Sequence, residues 1–341
     1  MLVFLLNALK IIIMLGFLVF IHEGGHFLIA KLFKVKVNEF ALGFGPTIFS
    51  KEKGETKYAI RLIPLGGFVN LEGEEERSDK EGSFSNASLP KRILIVLAGA
   101  TVNIIFGLLT YYILVSTAGN FYTTTVDYCI EDYAAQECGI LPGDIITKIN
   151  NKKVKNRNDI SKLLSYNKDK QINISIIRDG KEVVINLIPT VIENNETNQK
   201  NYYLGVVFKK IDNTIGNKLY YGLLDTKEFS ISIIDNLKQL FTGNISANQM
   251  VGIVGISDIV VKTSGLYEYV YIVALISLSL GVTNLLPIPP LDGGKVLIYI
   301  IELIRRKPMK EEIELKIQTW GFSILIALSI YVTYNDILRI F

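Results

Sequence analysis

The tightest constraint on this chain is its first 33 residues, an apolar run from Leu2 to Phe33 interrupted near its end by His22, Glu23 and His26. A run this long exceeds the ~20 residues that cross a bilayer as a helix. It is therefore expected to tilt or protrude, with the histidine pair submerged toward its C-terminal end. No basic segment precedes the run, and it ends at His22 rather than at a small-residue cleavage site, so it reads as a retained transmembrane helix and not a leader.

His22 and His26 are the only histidines in the chain. Four residues apart on a helix, their rings leave one face about one turn apart, close enough to share one metal ion. Glu23 can reach a water on that ion. The stretch His22-Glu23-Gly24-Gly25-His26-Phe27 thus fits the His-Glu-x-x-His zinc hydrolase pattern, with the carboxylate as general base. A short motif can arise by chance, but ionisable groups inside a membrane segment are costly and functional by default. A helix-interior glycine costs about 1 kcal/mol, so Gly24 and Gly25 predict close approach of another backbone or of substrate.

Hydrophobic residues make up 49% of the 341, and the mean hydropathy is +0.33, too apolar for an ordinary soluble enzyme. A net charge of +3 is too small to argue for nucleic acid, no basic-aromatic tract appears, and no nucleic-acid partner is expected. Cys129 and Cys138 lack metal-type spacing; a disulfide and two free buried thiols both remain open.

Lys31, Lys34 and Lys36 form a basic flank that puts the end of the first span, and the zinc motif, toward the cytoplasm. Thr47–Ser50 and Tyr58–Ile63 are β-like runs around a turn at 51–55, with Gly43, Gly45, Gly66 and Gly67 punctuating both ends. Such a hairpin offers an edge to an extended peptide, although a plain cytoplasmic hairpin has the same pattern. Glu72–Glu81 is acidic and is expected as a solvated loop. A second span runs from Ile93 to Val115. Its Asn103, one turn after Gly99, is a polar group suited to bonding a neighbouring helix or loop.

Residues 124–191 read as a compact β-rich unit, with a helix near Asn158–Leu164 and strands Gln171–Arg178 and Lys181–Pro189 joined at Asp179-Gly180. Glu193–Lys200 is expected as a loop or linker. From Phe229 to Phe241 the apolar residues Phe229, Ile233, Leu237, Leu240 and Phe241 share one helical face, which suits a surface helix or packing on the β-rich unit. A third span, Tyr267–Leu286, ends in Asn284-Leu285-Leu286-Pro287-Ile288-Pro289-Pro290-Leu291-Asp292-Gly293-Gly294, where prolines and glycines break the helix. The last span is Phe322–Ile337. A catalytic zinc takes three protein ligands; Asp292, at the depth expected of the histidines, is the candidate third, or else a helix N-cap.

His-Glu-Gly-Gly-His-Phe, Leu-Asp-Gly-Gly after Asn-Leu-Leu-Pro-Ile-Pro, and the β-rich unit between them resemble the site-2 protease family of intramembrane zinc metalloproteases, of the bacterial regulator-of-sigma-E type. The resemblance implies an α-helical polytopic membrane protein with about four transmembrane helices, a membrane-associated β-hairpin and an inserted extracytoplasmic PDZ domain. Its parts would be residues 1–33, the first span with the zinc motif; 34–89, hairpin and acidic loop; 90–118, second span; 124–191, PDZ domain; 192–264, linker and surface helix; and 265–341, the last two spans with the Leu-Asp-Gly-Gly motif. It implies Zn2+ held by His22, His26 and Asp292, with Glu23 as catalytic base. It implies substrate contacts at Asn284, at the hairpin glycines Gly43, Gly45, Gly66 and Gly67, and at Asn103, which falls in an Ala-Gly-x-x-x-Asn pattern shared with the family. Two departures stand out: Ile253 replaces a usual proline in Met250–Ile256, and there is one PDZ unit where some relatives have two.

The implied protein sits in the bacterial cytoplasmic membrane and cuts single-span membrane proteins. Anti-sigma factors, signal-peptide remnants and pheromone precursors are candidate substrates, with or without a first cut by another protease. Two other classes predict different behaviour. A catalytically inactive PDZ-bearing membrane scaffold would not need the complete His22, Glu23, His26 and Asp292 set, and a divalent-metal transporter would need more polar sites along a conducting path.

Overall fold

The computed structural model describes residues 2–74, 76–167, 170–194, 199–242 and 251–340. In chain order the first elements are α1 (Leu2–Leu32), β1 (Val37–Lys53), β2 (Thr56–Leu71), α2 (Leu89–Ala118), β3 (Tyr122–Cys129) and α3 (Ala134–Glu137). There follow β4 (Ile145–Ile149), β5 (Lys152–Lys153), α4 (Arg157–Tyr166), β6 (Ile172–Arg178), β7 (Lys181–Leu187), β8 (Thr190–Asn194), β9 (Gln199–Tyr203) and β10 (Val206–Lys210). The chain closes with α5 (Ile215–Phe241), α6 (Ile253–Lys262), α7 (Leu266–Asn284), α8 (Asp292–Arg305) and α9 (Glu311–Ile340). Two compact units result: Met1–Leu114 with Thr226–Phe341, and Val115–Asp225.

In the first unit, α1, α2, α7 and α9 supply the four stretches among the described residues that are long and apolar enough to cross a membrane. Large apolar side chains such as Ile13 and Leu28 on α1, Ile105 and Leu109 on α2, and Trp320, Ile324 and Ile330 on α9 stay exposed. Water would penalise that surface; lipid covers it. Inward faces are small. Gly107 of α2 lies against the Ala274 carbonyl of α7, where an added Cβ would sit 2.9 Å from the oxygen, and Gly281 of α7 does the same against the Ala100 carbonyl at 2.7 Å.

β1 and β2 run much further than the two short runs legible in the sequence, because each bends at glycine and continues. Gly43 (φ +87°) and Gly66 (φ +106°) take left-handed conformations closed to most side chains. After the bend the strands pair again. Phe40 lies opposite both Val69 and Tyr58, and Ala41 opposite both Phe68 and Ala59, so the start of β1 is sandwiched and the end of β2 forms one edge. That edge meets α1: a Cβ on Gly67 would lie 3.6 Å from Glu23 Cγ and 3.7 Å from Val19 Cγ1.

The 72–81 stretch is a loop with Glu76, Arg77 and Asp79–Glu81 exposed, and it is anchored at Glu72. Glu72 accepts from Ser78 Oγ at 2.8 Å and from Asn38 Nδ2 and Lys80 Nζ at 3.1 Å each. The Ser78, Lys80 and Asn38 bonds hold its carboxyl down at about 2. Past the third span, α8 begins directly at Asp292, with Leu291 as N-cap, so Asp292 is the first helical residue and not the cap. Gly293 and Gly294 lack the Cβ that would collide with the Leu285 carbonyl and with the Pro289 backbone. The turn is thereby tight enough to fold Asp292 back toward α1.

The second unit is built on a sheet ordered β10-β3-β4-β6-β7, with β5 paired to β4, and a separate β8-β9 pair. The 192–264 stretch therefore contains the end of β8, all of β9 and β10, and the helices α5 and α6. β10 completes the sheet because Phe208 and Leu204 are buried in the same core as Ile146, Ile174 and Ile176. Residues 195–198 of the expected linker lie outside the described residues. α5 starts fourteen residues earlier than the amphipathic pattern at Phe229, and in the first unit Phe229 stacks on Tyr111 of α2 at 4.1 Å. The side chains of Leu237, Leu240 and Phe241 lie outside the described residues.

Asp144 (1% exposed) closes the second unit's core edge, accepting from Leu141 N–H at 2.8 Å and from Arg178 Nε and Nη2 at 2.8 and 2.7 Å. Burial pushes its carboxyl up, but Arg178 and the Leu141 amide outweigh that and hold it below the usual range. The stabilisation is present above the unfolded carboxyl value of about 4 and is lost as pH falls through the lower folded value. Arg178→Ala leaves a buried carboxylate unpaired. It should destabilise this unit by about 3 kcal/mol, read as faster amide exchange in β4 and β6 with α1 and α2 unchanged.

Candidate metal centre and active site

His22 (8% exposed) and His26 face inward from α1. Their Nε2 atoms are 3.2 Å apart, and Asp292 Oδ2 lies 3.2 Å from His22 Nε2 and 3.5 Å from His26 Nε2. A tetrahedral zinc with bonds of ~2.1 Å separates its ligand atoms by about 3.4 Å. The observed triangle has that size. The chemistry agrees: Asp292 Oδ2 is buried with no hydrogen-bond partner, and two imidazole nitrogens point at each other. A cation among them resolves both conflicts. Among the described residues these three form the one cluster with metal-ligand proximity.

α2 makes the cradle. Ile95, Gly99 and Asn103 recur every four residues and so share a face. His26 Nδ1 donates to the Ile95 carbonyl at 2.9 Å, which leaves Nε2 as its lone-pair nitrogen. A Cβ on Gly99 would collide with His26 Nε2 and come within 2.9 Å of His22 Cε1. Gly25 is needed for the same approach, since its Cβ would sit 2.6 Å from the Ala98 carbonyl oxygen. Gly24 has open space instead, so only Gly25 is explained by a neighbouring backbone.

Glu23 joins the two histidines and Asp292 in a small cavity of about 170 Å³, also lined by Phe68, Val69 and Leu71 of β2, Ile95 and Val96 of α2, Glu74 and Lys295. Of the other residues singled out in the sequence, Gly67 lies against Glu23, whereas Gly43 and Gly45 serve the bend of β1. Asn284 ends α7 and is not among the cavity-lining residues. Asn103 reaches His22 Nδ1 at 3.4 Å from behind the ring.

Glu74 and Lys295 were missed in the sequence. Lys295 Nζ contacts Glu74 Oε1 at 2.7 Å, tying the segment after β2 to α8 one turn beyond Asp292. Burial works against the Lys295 ammonium, but Glu74 more than compensates and raises its pKa above the ordinary lysine range. The spacing Asp292-x-x-Lys295 was the available signal, since i and i+3 share a helix face.

A profile of peptidase family M50 matches residues 10–328. The chain belongs to peptidase family M50. A protein of Clostridium acetobutylicum with the provisional name zinc metalloprotease is 36% identical over 97% of both chains. The regulator of sigma-W protease RasP of Bacillus subtilis is 29% identical, covering 99% of this chain and all of its own. The zinc metalloprotease RasP of Geobacillus kaustophilus is 27% identical over 98% of each. The M50 chain described here is thus a multi-pass membrane zinc metalloprotease of the site-2 type.

The glycines give a direct test of the cradle. Gly25→Ala and Gly99→Ala should each lower zinc content of the purified protein at least tenfold, because α1 and α2 or the rings must shift. Gly24→Ala should keep full zinc and raise the melting temperature slightly, as helix propensity predicts. Zinc measured per mole of folded protein for all three distinguishes a local cradle from a general intolerance of the helix to alanine.

Proposed function

We propose that His22, His26 and Asp292 hold Zn2+, that Glu23 is the general base, and that the substrate is an unwound transmembrane segment of another membrane protein. The observation that carries this reading is the 3.2, 3.2 and 3.5 Å triangle of ligand atoms beside Glu23, on a helix able to span a membrane. When bound, zinc supplies Lewis acidity toward the scissile carbonyl and lowers the pKa of water to about 7. Glu23 then takes the proton of the attacking water and delivers it to the leaving nitrogen. The free edge of β2 at Gly66–Leu71, which brings Gly67 against Glu23 and Phe68 and Val69 into the cavity, suits an added peptide strand. An extended substrate is required, because a helical peptide bond has its amide and carbonyl already engaged. Asn284, Gly43 and Gly45 belong to this reading as supports of the strand's path.

We further assign the second unit as a PDZ-type peptide-binding module. β10 ends the sheet order, β9 packs on α4, and a groove of about 690 Å³ is lined by Ile160 and Leu164 of α4 and by Tyr203–Phe208. An edge strand next to a helix with buried Ile160 and Leu164 is the arrangement that strand addition uses. Single-span membrane proteins, anti-sigma factors and signal-peptide remnants among them, are the substrates we propose; the name of the Bacillus subtilis relative, regulator of sigma-W protease, agrees with a regulatory target.

Replacing His22, His26 or Asp292 by Ala should remove both zinc and cleavage of a single-span reporter reconstituted with the purified enzyme. Glu23→Gln should reduce cleavage by at least a thousandfold while zinc stays bound, since it deletes a base and not a ligand. Full activity in Asp292→Ala would remove the third ligand from the assignment. Zinc-loaded Glu23→Gln that still cleaves would remove the base.

A further inference from the structure

The two proposed histidine ligands are supported from behind in different ways. His26 Nδ1 has a backbone carbonyl, which can only accept. His22 Nδ1 faces the side-chain amide of Asn103, which can donate or accept according to how the amide is turned. Asn103 is fully buried (0% exposed) and does not line the catalytic cavity, so it is placed to touch the ligand and not the substrate. Its own position is fixed by α7, where Ser277 Oγ donates to the Asn103 backbone carbonyl at 2.8 Å.

The two amide orientations make two different sites. With the NH2 toward His22, the Nδ1 lone pair accepts, the ring proton sits on Nε2, and Nε2 cannot bind a cation. With Oδ1 toward His22, Nδ1–H donates and Nε2 presents its lone pair to Asp292 and His26. Nitrogen and oxygen of an amide exchange places with little other movement, and hydrogen-bond partners decide between them. With the NH2 toward the ring, Asn103 Oδ1 is buried with no partner. Turning the amide gives that oxygen the Nδ1–H.

We propose that Asn103 is a positioning residue whose side-chain carbonyl accepts the His22 Nδ1–H and holds Nε2 ready for the metal. The proposal rests on His22 being a zinc ligand. It replaces the substrate contact that the Ala-Gly-x-x-x-Asn pattern suggested for this residue. It also explains the spacing of the α2 face: Ile95 serves His26, Gly99 makes room for both rings, and Asn103 serves His22.

The test uses the full-length, zinc-loaded protein in detergent, with zinc loss to a chromophoric chelator as the readout. Asn103→Leu keeps much of the volume and removes the acceptor; its apparent zinc affinity should fall about 10–100-fold. Asn103→Asp keeps an acceptor and should hold zinc within about threefold of wild type or more tightly. If Asn103→Leu retains wild-type affinity, the residue merely packs and the proposal fails. If folded Asn103→Asp loses zinc as readily as Asn103→Leu, the NH2 was the working group and the proposal fails equally. A readout on the unsubstituted chain does not depend on any variant folding. With two histidines in the whole sequence, 15N-histidine labelling gives two imidazoles. The His22 Nδ1–H should be visible and protected from exchange in the zinc-loaded protein; fast exchange there overturns the assignment. Zinc retained by His22→Ala would instead overturn the ligand reading itself, so the two failures are distinguishable.

Discussion

Gly25 and Gly99 let two membrane-spanning helices meet backbone to backbone, and the arrangement of the site depends on that approach. Two imidazoles on α1 project toward α2, and any side chain at position 99 would occupy their space. Bringing the helices closer also brings the Ile95 carbonyl within hydrogen-bond reach of a ring, although that carbonyl already belongs to a helix. Helix association in lipid gains nothing from the hydrophobic effect, so it relies on this sort of close packing and on buried polar bonds. The glycines lower intrinsic helix stability, by about 1 kcal/mol each, and the contacts they permit offset it. Gly107 and Gly281 extend the same device to α7, which carries the Ser277 bond to Asn103.

Around that centre nearly every buried charge has a defined counterpart. Glu302 (4% exposed) accepts from Arg92 Nη2 at 3.2 Å and from Met309 N–H at 2.7 Å, and the Arg92 guanidinium lies over the Tyr299 ring. Glu74 and Lys295 form a second pair on the cavity wall. Removing one partner of such a pair costs far more than the pair contributes, because an unpaired charge stays behind. Asp292 Oδ2 stands apart from them. It lies beside two imidazoles and has no hydrogen bond, which leaves it available to a cation.

What was legible in the sequence was whatever the chain states locally. His22, Glu23 and His26 share one turn of one helix, and the proline-glycine stretch ending at Asp292 announces a break after an apolar span. Four spans followed from hydropathy because lipid-facing helices must be apolar nearly all round. Gly99 was legible as a small residue suited to close helix packing, and Lys295 as a residue sharing a helix face with Asp292, but their partners in α1 and at Glu74 were not, since these lie far away in sequence and no periodicity encodes the separation of α1 from α2. The bends of β1 and β2 escaped for a related reason. Gly43 and Gly66 look like strand ends in one dimension, but here they turn a strand without ending it. β10 was hidden because its apolar run, Val206–Phe208, is only three residues long and is followed at once by Lys209 and Lys210.

The departure at Ile253 can be read from its position in the fold. α6 begins at Ile253, with Gly252 as its N-cap, so Ile253 is the first helical residue. Proline is common at that position because the N–H it lacks has no intrahelical partner. Isoleucine there keeps an N–H that the helix does not use. The bonds that anchor this end come from elsewhere: Asp336 Oδ2, 1% exposed near the end of α9, accepts from Gly252 N–H at 2.9 Å and Gly255 N–H at 2.8 Å. A carboxylate at a helix N-terminus meets both the free amides and the positive end of the helix dipole. Both glycines lack the Cβ that would come within 3 Å of that carboxylate, so they are needed for the contact in a way that Ile253 is not. The shape of this helix start is therefore set by Gly252, Gly255 and a distant aspartate, and it survives the exchange of proline for isoleucine.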